Sequence, residues 1–198
     1  MVKKILIANR GEIACRIIKT AKKMGISTVS VFSDADKNSR HVRLADEAIH
    51  IGASESKNSY LSFDKILEAI NLSKADAVHP GYGFLSENAD FSEILEKNKI
   101  TFIGPPSSAI RKMGDKIESK KIAINANVST VPGYAGQIKN SKEAKRIAKE
   151  IGFPLMIKAS AGGGGKGMRI INDFSEIEES FLIATNEAKK SFNDSRLF

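Results

Sequence analysis

Cysteine is nearly absent from this chain, with one residue, Cys15, in 198. A lone thiol excludes an internal disulfide framework and suits a reducing compartment. Cys15 sits among Ile13, Ala14, Ile17 and Ile18, so a small buried hydrophobe is expected there rather than a nucleophile. Aromatic residues are scarce too, at 7%, with no tryptophan. They form no stacking cluster, which argues against a nucleic-acid partner even though the net charge is +8. The lysines are spread out, as at Lys19, Lys22 and Lys23 and again at Lys142, Lys145 and Lys149, in the manner of solvated helix faces. No apolar run approaches the ~20 residues that span a bilayer, so no membrane segment is expected. His41, His50 and His79 share no metal-ligand spacing, and no zinc site is expected. A strand is expected to start at Lys3, so no signal peptide is expected. The expected address is the cytoplasm, or the mitochondrial matrix for a eukaryotic form with an upstream leader.

Two familiar nucleotide loops are missing as well. A Walker A loop ends in Gly-Lys-Ser/Thr, but Gly165-Lys166 is followed by Gly167, and Ser160 stands where the first glycine should be. The dinucleotide fingerprint needs three glycines at the first strand-to-helix turn, and Ala8-Asn9-Arg10-Gly11-Glu12 has one. What the chain does have is a run of four glycines, Gly162 to Gly165, between the apolar runs Phe153 to Ile157 and Met168 to Ile171. Glycine loses the most backbone freedom on ordering, so such a run is expensive to hold still. It is either a flexible turn between two strands or a mobile loop whose bare N–H groups close over an anion such as a nucleotide triphosphate. Lys158, Lys166 and Arg169 around it favour the anion.

The first hundred residues alternate strand and helix. Ile5 to Ala8 is a short continuous apolar run, as expected of a strand buried on both faces. From Ile13 to Met24 the apolar residues follow helical spacing, and Gly25 supplies the stop. Strands follow at Thr28 to Phe32, Ala48 to Ile51, Ala75 to Val78 and Thr101 to Ile103. Helices are expected at His41 to Ala45, Ser62 to Asn71 and Glu87 to Lys97. This alternation implies an α/β, Rossmann-like parallel sheet covered on both faces. Gly104-Pro105-Pro106 ends it. The expected division is residues 1–113 for this domain, 114–130 for a helical connector and 131–198 for a smaller α+β unit. The last holds a helix (Lys142 to Ile151), the two strands around the glycines, and a helix from Ser175 with Ser175 and Glu178 as its capping box. Ser195 to Phe198 reads as a strand just beginning, which suggests a truncated chain.

Ligands of open parallel sheets bind beyond the carboxyl ends of the strands. Asn9 to Glu12 follows the first strand there, and His79-Pro-Gly-Tyr-Gly-Phe-Leu-Ser-Glu-Asn88 follows the fourth. In the second segment Pro80, Gly81 and Gly83 fix a tight path, and Tyr82, Ser86 and Glu87 offer polar contacts. Ser86 can also cap the next helix, so a purely structural turn remains an alternative. In Met113-Gly114-Asp115-Lys116, Asp115 is explained by capping. Lys116 opposes the helix dipole, which makes it either an exposed lysine or a phosphate ligand.

Together with Ile7-Ala-Asn-Arg-Gly-Glu-Ile-Ala14, Phe102-Ile-Gly-Pro105 and Ile157-Lys-Ala-Ser-Ala-Gly-Gly-Gly-Gly-Lys-Gly-Met-Arg169, these segments resemble the biotin carboxylase family, in order and over the whole chain. Within it, Met113 to Lys120 and Ala161 to Lys166 are most similar to the alpha subunits of propionyl-CoA carboxylases, in the acyl-CoA carboxylase branch. The resemblance implies an ATP-grasp fold, here the Rossmann-like domain followed by the lid subdomain of an incomplete ATP-grasp half. It implies an ATP-dependent ligase that activates bicarbonate as carboxyphosphate and passes the carboxyl group to N1 of biotin. The implied cofactors are ATP, magnesium or manganese, and biotin on a carrier domain. The implied partners are that carrier domain, a carboxyltransferase subunit and, when full length, other copies of the chain, with Arg16 at the homodimer contact. Lys116, Lys158, Gly163, Gly164, Gly165 and Met168 are the implied ATP-binding residues, with Gly163 to Gly165 as the closing loop and Met168 near the adenine. Tyr82 and Gly83, with Glu87 nearby, would lie on the biotin side. The family's metal-binding glutamates, bicarbonate-binding residues and general base have no counterpart here, so no catalytic or metal-ligating residue is expected within these 198 and the piece alone is expected to be inactive. The alternatives are another ATP-grasp ligase, such as the large subunit of carbamoyl phosphate synthetase, and a non-catalytic module that binds nucleotide or partners.

Overall fold

The computed structural model describes residues 2–161 and 165–198. The chain divides into two compact units, Met1–Arg111 and Lys112–Phe198. The first runs β1 (Lys4–Ile7), α1 (Gly11–Lys23), β2 (Ser27–Phe32), α2 (Arg40–Leu44), β3 (Glu47–His50), α3 (Phe63–Ser73), β4 (Ala77–His79), α4 (Ala89–Lys97) and β5 (Thr101–Phe102). Helix α5 (Ser107–Gly114) spans the boundary. Every strand pair is parallel, in the order β3-β2-β1-β4-β5. The expected Rossmann-like sheet is therefore what forms.

The apolar run of β1 is explained by its central place. Ile5 and Ile7 face a cluster with Ala14, Ile18 and Ala21 of α1. Leu6 and Ala8 face the other side, against Ile66 and Ile70 of α3 and Phe91 and Leu95 of α4. Burial on both faces leaves no room for polar alternation. Cys15 is half-buried rather than buried, because it sits one residue, and so about 100° of helix turn, from the inward-facing Ala14. Asn88, not Ser86, caps α4, its side chain accepting from the Phe91 N–H at 2.9 Å. Ser86 is used one turn earlier, its N–H donating to the Gly83 carbonyl at 2.9 Å.

The second unit holds α6 (Lys116–Asn125), α7 (Ser141–Ile151), an antiparallel hairpin of β6 (Leu155–Lys158) and β7 (Met168–Ile171), and α8 (Ile177–Phe192). Ile157 and Ile171 of the hairpin pack on Ala144, Ile147 and Ala148 of α7 and on Ala184 and Ala188 of α8. The side-chain cap lies two residues earlier than expected, with Asp173 capping a short 3₁₀ turn, Phe174–Glu176, that leads into α8, whose own N-cap residue makes no side-chain cap bond. Asp173 accepts from the Ser175 N–H at 2.8 Å and Glu176 accepts from the Asn172 N–H at 2.8 Å. The carboxylate of Asp173 is the stronger acceptor, and Glu176 keeps the same spacing from it. The final residues pair as the sequence suggests. Phe198 exchanges backbone bonds of 2.9 Å with Lys158, and Leu197 is fully buried. Among the described residues no helix is long and apolar enough to cross a membrane.

Candidate functional site

In the first unit β2 lies on one side of β1 and β4 on the other. The winding reverses between β1 and β4, and the crevice beyond their carboxyl ends is the place where open α/β sheets bind ligands. The two segments singled out in the sequence meet there, since Ala8 N–H donates to the His79 carbonyl at 3.0 Å. Asn9, 1% exposed, donates through Nδ2 to the carbonyls of Pro80 at 2.7 Å and Tyr82 at 3.0 Å. Gly81 has φ +68°, and a Cβ on it would stand 2.7 Å from both Asn9 Nδ2 and Ile13 Cγ2. Only glycine fits so close an approach. Gly81 N–H donates to His79 Nδ1 at 3.0 Å, and burial lowers the His79 pKa, so the ring accepts as a neutral imidazole.

Tyr82 stands 63% exposed on this turn. Its hydroxyl donates to Glu12 Oε1 at 2.6 Å, a bond that raises its pKa and keeps the proton in place. Gly83, also at φ +68°, faces open space, and Glu87 is exposed at the end of the same segment. Beside it, buried Asp36 gathers Tyr60 Oη at 2.7 Å, Ser39 Oγ at 3.2 Å, and Arg10 and Ser33 Oγ at 3.3 Å each. Burial pulls the Asp36 carboxyl upward, but the bonds from Tyr60 and Arg10 outweigh it and hold the group below its ordinary value. Asp36 and Tyr60 were not singled out from sequence, because they reach the turn from the β2–α2 link and the segment before α3.

In the second unit Lys116 and Lys158 line one cavity of about 820 Å³. Its walls are mainly apolar, with Val131, Pro132 and Ile157 among them, and no Asp or Glu side chain lines it among the described residues. Lys120 joins the two lysines. It was missed, although i,i+4 spacing from Lys116 on one helix face is a legible signal. An apolar cavity with converging cations and no competing carboxylate suits a molecule with a flat apolar part and anionic groups.

The rim of this cavity is tied by a polar network. Asp115 caps α6, accepting from the N–H groups of Ile117 at 2.9 Å and Glu118 at 3.1 Å. It also accepts from Ser160 Oγ at 3.0 Å and pairs with Arg196 at 2.8 Å. Its role therefore extends beyond the capping expected. Burial raises the Asp115 pKa, but the bonds from Glu118, Ser160 and Arg196 more than offset this and hold it low. The Ser160 carbonyl accepts from Lys116, from N–H at 3.2 Å and from Nζ at 3.4 Å. Lys116 is thus held at the end of the strand that carries Lys158.

Met168 is the cross-strand partner of Lys158. Gly165 has φ +82°, and Gly167, at φ +68°, would place a Cβ 2.8 Å from that of Ala159. Gly163 and Gly164 lie outside the described residues. Of the cations flanking the glycines, Arg169 is engaged by Glu187 at 2.8 Å, whereas Lys166 is exposed. Lys116, Lys158 and Met168 thus belong to one unit, and Tyr82, Gly83 and Glu87 to the other.

Comparison with known proteins agrees with both units. Residues 1–110 match the family described as "Biotin carboxylase, N-terminal domain". Residues 115–198 match "Carbamoyl-phosphate synthase L chain, ATP binding domain". The propionyl-CoA carboxylase alpha chain of Ruegeria pomeroyi is 61% identical over all of this chain, which spans 29% of that relative. The human mitochondrial counterpart is 57% identical over 98% of this chain and 27% of its own length. Among solved structures, a biotin carboxylase complex with beta-gamma-ATP from Campylobacter jejuni superposes with a TM-score of 0.96 at 44% identity, covering 100% of this chain and 44% of the other. The biotin carboxylase domain of Hydrogenobacter thermophilus 2-oxoglutarate carboxylase, with MgADP, ADP and bicarbonate, gives 0.94 at 48% identity, covering 100% and 43%. With the first family matched over more than half its length and a parallel sheet and hairpin that superpose on solved members, the chain belongs to the biotin carboxylase family.

Proposed function

We propose that the chain is the start of the biotin carboxylase component of a propionyl-CoA carboxylase alpha chain, acting as the part that grips ATP and presents one wall of the biotin site. ATP lies against the Lys116 and Lys158 cavity, with Met168 at the adenine and Gly163, Gly164 and Gly165 closing over the phosphates. Bicarbonate attacks the γ-phosphorus and ADP leaves; the carboxyphosphate so formed delivers its carboxyl group to N1 of biotin near Tyr82, Gly83 and Glu87, releasing phosphate, which takes up the N1 proton. Phosphoryl transfer is mostly positioning and charge neutralisation, which lysines and backbone N–H groups supply. Carboxyphosphate is labile in water, so a closing loop has a clear purpose.

Magnesium or manganese accompanies the nucleotide and shares in neutralising its phosphates. Lys116 and Lys158 on the cavity wall add cationic charge to that of the metal. The biotin carrier domain, a carboxyltransferase subunit and further copies of the chain are the proposed partners. The cytoplasm, or the mitochondrial matrix, is the proposed location. Because the chain spans 29% of its R. pomeroyi relative, turnover is a property of the longer protein.

The observation that carries this reading is the pair of lysines on one apolar cavity that no acidic side chain lines among the described residues. In the full-length subunit, Lys116→Gln and Lys158→Gln should each lower kcat/KM for ATP roughly 10–100-fold, the worth of one charge-assisted contact. ATP kinetics unchanged in both variants would refute the assignment.

A further inference from the structure

The 80–84 turn is held from outside itself to an unusual degree. Both Asn9 Nδ2 bonds go to carbonyls that bracket the Gly81–Tyr82 stretch, those of Pro80 and Tyr82. Asn9 Oδ1 accepts from the Arg10 N–H at 2.9 Å, so this buried amide is fully used. At the far end Phe84 adopts φ +41°, a conformation unfavourable for a side chain of its size. It is held there by a parallel stack on Tyr60, with centroids 5.3 Å apart and planes 1° from parallel. The Arg10 guanidinium lies 5.8 Å from the Tyr60 centroid and 6.0 Å from that of Phe84. Tyr60 is in turn fixed by its bond to Asp36 and by the Ser33 N–H at 3.2 Å. Between these two anchors only the Tyr82 side chain projects outward.

We propose that Asn9, Arg10 and Tyr60 are positioning residues that hold the Tyr82 arm in the pose that meets biotin. This inference rests on the biotin-side reading of Tyr82 and deepens it, since it says what keeps that wall of the site in place before biotin arrives. A turn with a purely structural task has no need of a strained Phe84 or of a buried amide on both of its carbonyls. An arm that must contact a small acceptor ring has such a need, because misplacement of about 1 Å can lower a rate by two orders of magnitude.

The test uses the full-length subunit with free biotin as the acceptor. Two rates are compared, biotin carboxylation and the bicarbonate-dependent ATP cleavage that proceeds without biotin and reports phosphoryl transfer alone. Asn9→Ala should lower kcat/KM for biotin on the order of tenfold or more, and Arg10→Lys by a smaller factor of about three. In both variants ATP cleavage without biotin should stay within about twofold of the parent, because phosphoryl transfer does not use the arm. Amide exchange across Gly81 to Phe84 should quicken about tenfold in Asn9→Ala as the turn loosens. Arg10→Lys alters a half-exposed side chain and decides the matter should Asn9→Ala not fold. An equal fall in both rates, or biotin kinetics unchanged in both variants while Tyr82→Ala impairs them, overturns the positioning role and leaves the biotin-side reading standing. If Tyr82→Ala itself leaves biotin kinetics unchanged, that reading falls and the inference falls with it.

Discussion

The turn that carries Tyr82 is braced by side chains that are themselves buried, Asn9 and Tyr60 at 1% exposure each. The hairpin that carries Lys158 and Met168 has two strands of four residues, and its rim is tied by Asp115, Ser160 and Arg196. One candidate site grows from a five-stranded sheet with a core on each face. The other grows from a sheet of two strands, on which Met156 is 42% and Ile170 62% exposed. A two-stranded hairpin is marginal by itself and relies on the helices packed against it. The contrast matches the tasks proposed for the two units. A wall for a small acceptor works best prebuilt, and a cover that admits and releases nucleotide has to give way.

The difference can be attacked directly, beginning where the effect is largest. Leu6→Ala removes a fully buried side chain from the central strand and should lower the opening free energy of β1 amides by about 2–5 kcal/mol in hydrogen exchange. A loss of less than about 2 kcal/mol, the lower edge for a buried leucine, would mean the parallel sheet is not the rigid half. Gly167→Ala places a methyl 2.8 Å from Ala159 Cβ at φ +68° and should loosen β6 and β7 by about 1–3 kcal/mol. Asp115→Ala removes the cap of α6 and should cost about 0.5–2 kcal/mol, read at the Ile117 and Glu118 amides.

Acid probes the same carboxyl group. Because its folded pKa is depressed, the stability Asp115 contributes is present above its ordinary value of 3.8 and is lost as pH falls through the folded value. Its carboxyl carbon shift should therefore titrate below 3.8, and a midpoint above that would contradict the network around it. Lys145→Ala breaks an exposed pair with Glu178, at 3.0 Å with side chains 43% and 71% exposed. Its effect on α7 exchange should be the smallest, within about 0.5 kcal/mol.

Much of this was legible in the sequence because it was local. The run Ile5 to Ala8 announced a doubly buried strand, and the 3.6-residue spacing of Ile13 to Met24 announced the helix on its face. Lys116 was readable as out of place against the helix dipole, and Asp115 as a cap. What escaped was long-range. Nothing in the linear order says that Asp36 collects Tyr60 from 24 residues away, or that Arg196 reaches back to the cap of α6. The cap expected at Ser175 fell instead on Asp173, ahead of the turn that leads into α8, because both residues stand three before a glutamate. Only the competing acceptor strengths separate them.

The central claim, that the Lys116 and Lys158 cavity with its glycine loop receives a nucleotide polyphosphate, is tested most directly by hydrogen exchange on the full-length subunit with and without ATP and magnesium. Slower exchange in peptides covering Lys116 to Ser119, Lys158 to Ala161 and Gly165 to Met168 is the predicted result. Saturating nucleotide that leaves those peptides unchanged and protects others instead would contradict it.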